Sequence, residues 1–342
     1  TQTGIEAGMK YYLMGVFATG VMLYGMSLIF GGTGTTVLAD IGTTVAGNFG
    51  DEPVAVLGIV FTLVGFAFKI SAVPFQHWAP DTYEGAPTPI TAFLSVASKS
   101  AGFVAILQLV FIGFLGRSDT IRPLMFVLAV LTMTVGNVIA LRQTNIVRLF
   151  AYSSVAQAGF ILAPLAVVSH DDPGNLGSIL SSVVLYLLVY TVVNLGAFAV
   201  IIAVSRRTRS GEIASWGGLF TYAPGLAVAM AVFLLALGGI PPMVGWFAKF
   251  QLFTAVVGAG TTMAYVMGAV MAVNTVVSLA YYLGIVRTMF MDDAVDGDLT
   301  PIRTPVPLVA AVGITAALTI LVGFVPGLAL DIADGARFAL GS

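Results

Sequence analysis

Cysteine is absent from the 342 residues, and with it go disulfides, iron–sulfur ligation and thiolate metal sites. Charge is scarce as well. Asp, Glu, Lys and Arg make up 9% of the chain, against about 25% in ordinary soluble domains. The formal net charge of −2 leaves no case for a nucleic-acid partner. Short segments of alternating apolar and polar residues, the mark of a transmembrane β-barrel, are missing too. The chain opens at Thr1 without an initiator methionine, signal peptide or basic leader, and is expected to be incomplete.

What is plentiful is apolar surface. Hydrophobic residues account for 58% of the chain, and they gather into stretches long enough to cross a bilayer core, which takes roughly 20 residues per helix. The expected fold class is therefore an all-α polytopic membrane protein, a single transmembrane helical bundle in contact with lipid. Nine membrane segments are predicted, at 9–31, 54–76, 89–115, 121–141, 146–168, 177–204, 222–257, 262–290 and 305–325. The seventh is too long for one straight helix. Gly238, Gly239, Pro241 and Pro242 interrupt it, because proline lacks a backbone donor and glycine weakens a helix. Irregular backbone at membrane depth survives only where protein or a polar cavity surrounds it, so 238–249 is a candidate ion site.

If the segments alternate in direction, one set of loops holds Arg142, Arg206, Arg207, Arg209 and Arg303, with Arg148 and Arg287 just inside helix ends. By the positive-inside rule this side is cytoplasmic. The opposite loops hold Asp40, Asp51, Glu52, Asp119, His170, Asp171 and Asp172, with Arg117, Arg122 and, in the tail, Arg337 as cations. The N-terminus is then cytoplasmic and the C-terminus external. His77 and His170 fall on opposite sides, so they cannot share a haem iron, and His77 is left as a candidate proton relay.

Three of the chain's lysines lie where a charge is costly, at least about 2.5 kcal/mol on insertion scales. Lys69 sits deep in the second segment just before Pro74, Lys99 is near the middle of the third, and Lys249 follows the Pro241-Pro242 break. A lysine near a helix end can snorkel to the interface. Lys99 is about ten residues from either end of its helix, some 15 Å at about 1.5 Å per residue, so a polar interior path accounts better for the set. Burial disfavours a charged amine and a nearby carboxylate favours it, which lets such a group load and release a proton. Carboxylates are few. Glu6 stands four residues before Lys10, on the same helix face, and reads equally well as a solvated helix start; Asp81 and Glu84 flank Tyr83 after the second segment.

The string Val73-Pro74-Phe75-Gln76-His77-Trp78-Ala79-Pro80-Asp81-Thr82-Tyr83-Glu84-Gly85-Ala86-Pro87-Thr88-Pro89 resembles the antiporter-like membrane subunits of NADH-quinone oxidoreductase, respiratory complex I. Asp81, Tyr83 and Gly85 give it the form found in the subunit N branch. Further matches are Ser98-Lys99, Gln143-Thr144-Asn145-Ile146 before Arg148, Tyr152-Ser153-Ser154, Asn194-Leu195-Gly196-Ala197-Phe198, and Gly239-Ile240-Pro241-Pro242 leading to Lys249-Phe250. The resemblance implies a fold of fourteen helices with two inverted repeats, each containing one broken helix, of which this chain would supply helices six to fourteen. Residues 1–115 would end the first repeat, 116–290 form the second, and 291–342 hold the C-terminal helix and tail. Lys69 would be the lysine of the first broken helix, Lys99 the connecting lysine, and Lys249 the lysine of the second broken helix. The family's helix-five glutamate would precede Glu6 by some twenty residues and is not in this chain. Val147 departs from the family at a position where many relatives carry a second basic residue.

The resemblance further implies a proton pump in a bacterial cell membrane, in which quinone reduction elsewhere in the complex toggles Lys69 and protons pass through Lys99 to Lys249. No cofactor is expected in this chain; FMN, iron–sulfur clusters and quinone would belong to partner subunits. The expected neighbours are antiporter-like subunit M and the small membrane subunits toward the quinone site. Rival readings are a subunit of a multisubunit Na⁺/H⁺ antiporter or membrane-bound hydrogenase, a quinone-binding subunit, and a scaffold.

Overall fold

A computed structural model describes residues 2–170, 172–295 and 297–339, with the side chains of residues 2, 3, 173 and 336–339 left out. Asp171 and the side chain of Arg337 therefore lie outside the described residues. In chain order the helices are α1 (Gln2–Thr33), α2 (Leu38–Ala46), α3 (Pro53–Lys69), α4 (Trp78–Gly85), α5 (Thr88–Phe93), α6 (Lys99–Gln108), α7 (Ser118–Ala140), α8 (Ile146–Leu162), α9 (Pro173–Thr208), α10 (Leu219–Tyr222), α11 (Pro224–Gly238), α12 (Val244–Val257), α13 (Thr262–Met291), α14 (Val306–Phe324) and α15 (Gly327–Ala339). Among the described residues there is no strand, only one isolated bridge between Asn145 and Glu212.

Seven helical spans are long and apolar enough to cross a membrane, and α3, α11 and α12 are shorter apolar helices. Counting α3 as one crossing and α11 with α12 as another, the nine predicted crossings are present, in an all-helical membrane bundle. Proline in the first turn starts α3, α9, α11 and α14, where its missing N–H costs nothing. Asn145 caps α8 by accepting from the amides of Val147 and Arg148, and Thr261 caps α13 through Ala264, each satisfying an end of helix that lipid could not.

Three boundaries differ from the sequence reading. The second segment stops at Lys69 instead of running to 76, because Ser71 takes a left-handed conformation with φ 60° and Pro74 offers no donor; the chain then resumes as α4. The third segment is not one regular helix: π-helical turns at Leu94–Ser98 and Leu109–Gly113 interrupt it. The amphipathic α2 and α15 were not expected, since neither is long enough to register as a crossing.

α8 lies at the centre, with nearly every residue buried, whereas α1 and α14 are the most exposed spans. α7 packs along α8, α1 along α3 and α4, and α9 against α11, α12, α14 and α15. Glycine permits the closest approach. A Cβ at Gly136 would lie 2.7 Å from the Ala156 amide, and one at Gly159 would lie 2.5 Å from the Met133 amide. The α7–α8 contact is thus backbone against backbone, the packing mode of helices that cannot rely on the hydrophobic effect in lipid.

Candidate functional site

Two ammonium groups are enclosed by the bundle. Lys99 is 3% exposed and Lys249 7% exposed, and they are the only charged side chains in the buried interior among the described residues. Each is positioned by an irregularity. Lys99 begins α6 directly after the Leu94–Ser98 π turn, and Lys249 lies on α12, beyond the gap that follows α11.

The α11–α12 gap follows from the sequence. In a continuous helix the Leu237 carbonyl would accept from the amide four residues on, and that residue is Pro241, which has none. Gly239 takes up the reversal at φ 80°. The freed carbonyl instead accepts from Lys249 Nζ at 2.8 Å and from Gln157 Nε2 at 3.2 Å. The Lys249 ammonium also sits 4.6 Å from the centre of the Phe160 ring, within cation–π range.

Gln157 extends the connection. Its amide nitrogen reaches the Tyr282 hydroxyl at 3.2 Å, and Tyr186 donates to its oxygen at 2.5 Å. Tyr282 shares a 2.5 Å hydrogen bond with Ser153. One residue along α8, Ser154 accepts from Lys99 Nζ at 2.7 Å and lies 3.3 Å from the Tyr83 hydroxyl. Lys99 is thus bonded directly to α8, and Lys249 meets α8 through the Leu237 carbonyl that Gln157 shares. Beside Lys99, Asn194 of α9 donates to Ser95 at 2.7 Å, fixing the π turn. A second buried group, Asn137 with Asn274 and Tyr281, links α7 to α13.

At the arginine-rich end of the bundle the charges are partly solvated. Lys10 bridges Glu6 at 2.6 Å and Asp81 at 2.7 Å; Arg148 bridges Asp81 at 2.9 Å and Glu84 at 2.8 Å. Five alternating charges from α1, α4 and α8 thus form one chain, the context in which ion pairs count for more than isolated surface pairs do. Lys69, at the last residue of α3, is half-buried, 3.5 Å from the Tyr11 hydroxyl. It lines an open cavity of about 760 Å³ shared with Tyr11, Tyr12, Thr19 and Gly102.

The structure thus brings together Glu6, Lys10, Asp81 and Glu84, sets Tyr83 beside Lys99, and puts breaks at Pro74 and at Gly238, Gly239, Pro241 and Pro242. It does not bring His77 to them. His77 stands exposed just before α4, because the turn buries its neighbours Gln76 and Trp78 instead, Trp78 Nε1 donating to the Phe68 carbonyl at 2.9 Å. Sequence reasoning noted Arg148, Ser153 and Ser154 without assigning them to the site, and missed Gln157, Tyr186 and Tyr282. The available signal was the placement of Ser153 and Ser154 four and three residues before Gln157, on one face of a helix that is otherwise mostly apolar beyond Arg148 and Tyr152.

A family model described as "NADH:quinone oxidoreductase/Mrp antiporter, TM" matches residues 1–277. NADH-quinone oxidoreductase subunit N of Trichlorobacter lovleyi is 41% identical over 333 residues, covering 97% of this chain and 66% of that protein. Subunit N of Rubrobacter xylanophilus is 46% identical over 292 residues, covering 85% of this chain and 58% of that protein. The chain thus spans about two thirds or less of the length of these relatives. Among solved structures, a chain of respiratory complex I from Thermus thermophilus with bound aureothin is 32% identical with a TM-score of 0.80, covering 97% of this chain and 69% of that one. A chain of the Mrp complex from Dietzia sp. DQ12-45-1b superposes with a TM-score of 0.86 at 23% identity, covering 99% and 68%, a likeness of fold.

Proposed function

Since the chain belongs to the NADH:quinone oxidoreductase/Mrp antiporter family of membrane subunits, we propose that it is a proton-translocating part of an NADH-quinone oxidoreductase and moves protons through Lys69, Lys99 and Lys249. The observation that carries this reading is the pair of enclosed ammonium groups, each beside a helix irregularity, Lys99 bonded to Ser154 of α8 and Lys249 sharing the Leu237 carbonyl with Gln157 of the same helix. Uncompensated burial of two charges would be an unexplained cost for a scaffold.

In this reading the chain holds no redox centre, and FMN, iron–sulfur clusters and quinone sit in partner subunits. Quinone reduction there shifts the field along the ion-pair chain of Glu6, Lys10, Asp81, Arg148 and Glu84, and Lys69 gains or loses its proton in response. The proton passes to Lys99, then by way of Ser154, Ser153, Tyr282 and Gln157, with intervening water, to Lys249. The arginine-rich loops face the cytoplasm, so this chain's N-terminus is cytoplasmic and its C-terminus external. The breaks at α3–α4 and α11–α12 are the corresponding elements of two inverted repeats, and subunit M and the small membrane subunits are the neighbours.

The test is NADH-driven proton uptake alongside NADH oxidation in inverted vesicles carrying Lys249→Met, with assembly checked on a native gel. Loss of uptake in an assembled complex is expected. Wild-type uptake would remove Lys249 from the path. The antiporter reading shares the fold; co-purification with other antiporter subunits, and without flavin and iron–sulfur subunits, would favour it instead.

A further inference from the structure

Two hydrogen-bonded groups lie side by side on α8. One holds the Lys99 ammonium, Ser154 and the Tyr83 hydroxyl. The other holds Ser153, Tyr282, Gln157 and Tyr186, and it meets Lys249 at the Leu237 carbonyl. The Ser154 hydroxyl is otherwise spent on the Ala151 carbonyl of its own helix. Among the described residues no hydrogen bond joins the first group to the second.

A different helix spans both. Tyr186, Tyr190, Asn194 and Phe198 of α9 follow one another at four-residue spacing, so they share one face in steps of about 6 Å, and all four are buried. Three of them have partners. Tyr186 donates to Gln157 in the second group, Asn194 donates to Ser95 in the π turn before Lys99, and Phe198 packs edge-on against Tyr83 of the first group, 6.4 Å between ring centres. Tyr190 stands between Tyr186 and Asn194, and its hydroxyl is buried with no hydrogen-bond partner among the described residues. That hydroxyl lies beside Ser154 and within electrostatic reach of the Tyr83 and Tyr282 hydroxyls, one from each group. An unpartnered hydroxyl in a protein interior is unfavourable, and a phenylalanine would fill the same space without that penalty.

We propose that Tyr190 is a further proton-carrying residue, its hydroxyl linking Ser154 to Tyr282 through water and so joining the two groups. The proposal rests on the lysine relay set out above. The Lys99 ammonium gives a proton to the Ser154 oxygen and becomes the neutral amine, while Ser154 hands its own hydroxyl proton to Tyr190. Tyr190 in turn releases its original proton through water to Tyr282, and the last transfer turns a neutral Lys249 amine into the ammonium. Each hydroxyl gains one proton and loses one, so no serine or tyrosine keeps a charge. Rotation of the Tyr190 hydroxyl back toward Ser154 restores the starting state.

The experiment is Tyr190→Phe in the intact complex, with NADH-driven proton uptake followed in inverted vesicles in ordinary and heavy water and assembly verified on a native gel. The substitution removes one oxygen that makes no hydrogen bond, so the amount of assembled complex should match wild type. Uptake should fall by about tenfold or more, as for a lost proton-transfer group, and heavy water should slow the variant more than wild type because proton transfer has become limiting. Wild-type uptake would overturn the proposal. So would loss of the assembled complex, which would mean that the hydroxyl holds the bundle together. A double variant, Ser154→Ala with Tyr190→Phe, should be no slower than the slower single variant, since both break the same link; losses that multiply would place Tyr190 outside it. Lys249→Met separates the two ideas: if it pumps normally the relay itself fails, and if it stops pumping while Tyr190→Phe does not, only the role of Tyr190 falls.

Discussion

Ser154 is a small residue with a large assignment. It accepts the hydrogen bond of the Lys99 ammonium at 2.7 Å in a place water does not freely reach. Removing such a bond to a charged group costs about 1.5–3 kcal/mol, so Ser154→Ala should impair proton uptake severalfold in an assembled complex, and Ser154→Thr should restore most of it. Vesicle acidification kinetics would check both. Lys69 differs, being half-buried beside an open cavity. Lys69→Met should abolish pumping and coupled NADH oxidation together; continued oxidation without pumping would mean that Lys69 is not part of the coupling. The lysines are legible in the sequence because a cation inside an apolar run is conspicuous. Ser154, Gln157 and Tyr282 are not, because hydroxyls and amides are common in membrane helices and become informative only when their partners from other helices are known. Arg148 went unassigned for a related reason: its carboxylates lie 67 and 64 positions away, beyond any local pattern.

At the scale of the helix, the α11–α12 gap and the α7–α8 contact make opposite demands. The gap depends on a missing donor. Pro241→Ala would supply an amide to the Leu237 carbonyl and compete with Lys249 for it; the expected outcome is a strong loss of proton uptake with little loss of assembled complex, read on a native gel and in vesicles. The α7–α8 contact depends on a missing side chain. Gly159→Leu would force backbones apart at Met133, and overpacking of this kind costs about 1–3 kcal/mol, so reduced assembly on a native gel is expected before any defect in pumping is seen. The gap was legible, since Gly238, Gly239, Pro241 and Pro242 break a helix in any context. The π turn before Lys99 was not, because its residues Leu94, Ser95, Val96, Ala97 and Ser98 carry no breaker, and its cause lies in tertiary contacts such as that of Asn194 with Ser95.

For the whole molecule, the arrangement of charge is the most readable property. Arginines gather at one end, and Asp40, Asp51, Glu52 and Asp119 at the other, which predicts the same sidedness as the apolar segments taken in alternation. Single cysteines at Ser210 and Thr36, reacted with an impermeant maleimide in right-side-out vesicles, should label only at Thr36; labelling at Ser210 instead would invert the topology. The exposed faces of α1 and α14 left no trace in the sequence, since lipid and protein neighbours select the same apolar residues. The carbonyl freed at Leu237 has a further consequence. It lies at the C-terminal end of a half-helix, the end that carries roughly half a negative elementary charge, so Lys249 is held by a dipole instead of a carboxylate. No change of acidity can discharge that partner. What holds the ammonium is therefore the placement of α11 against α12, a matter of position and not of the protonation of a partner.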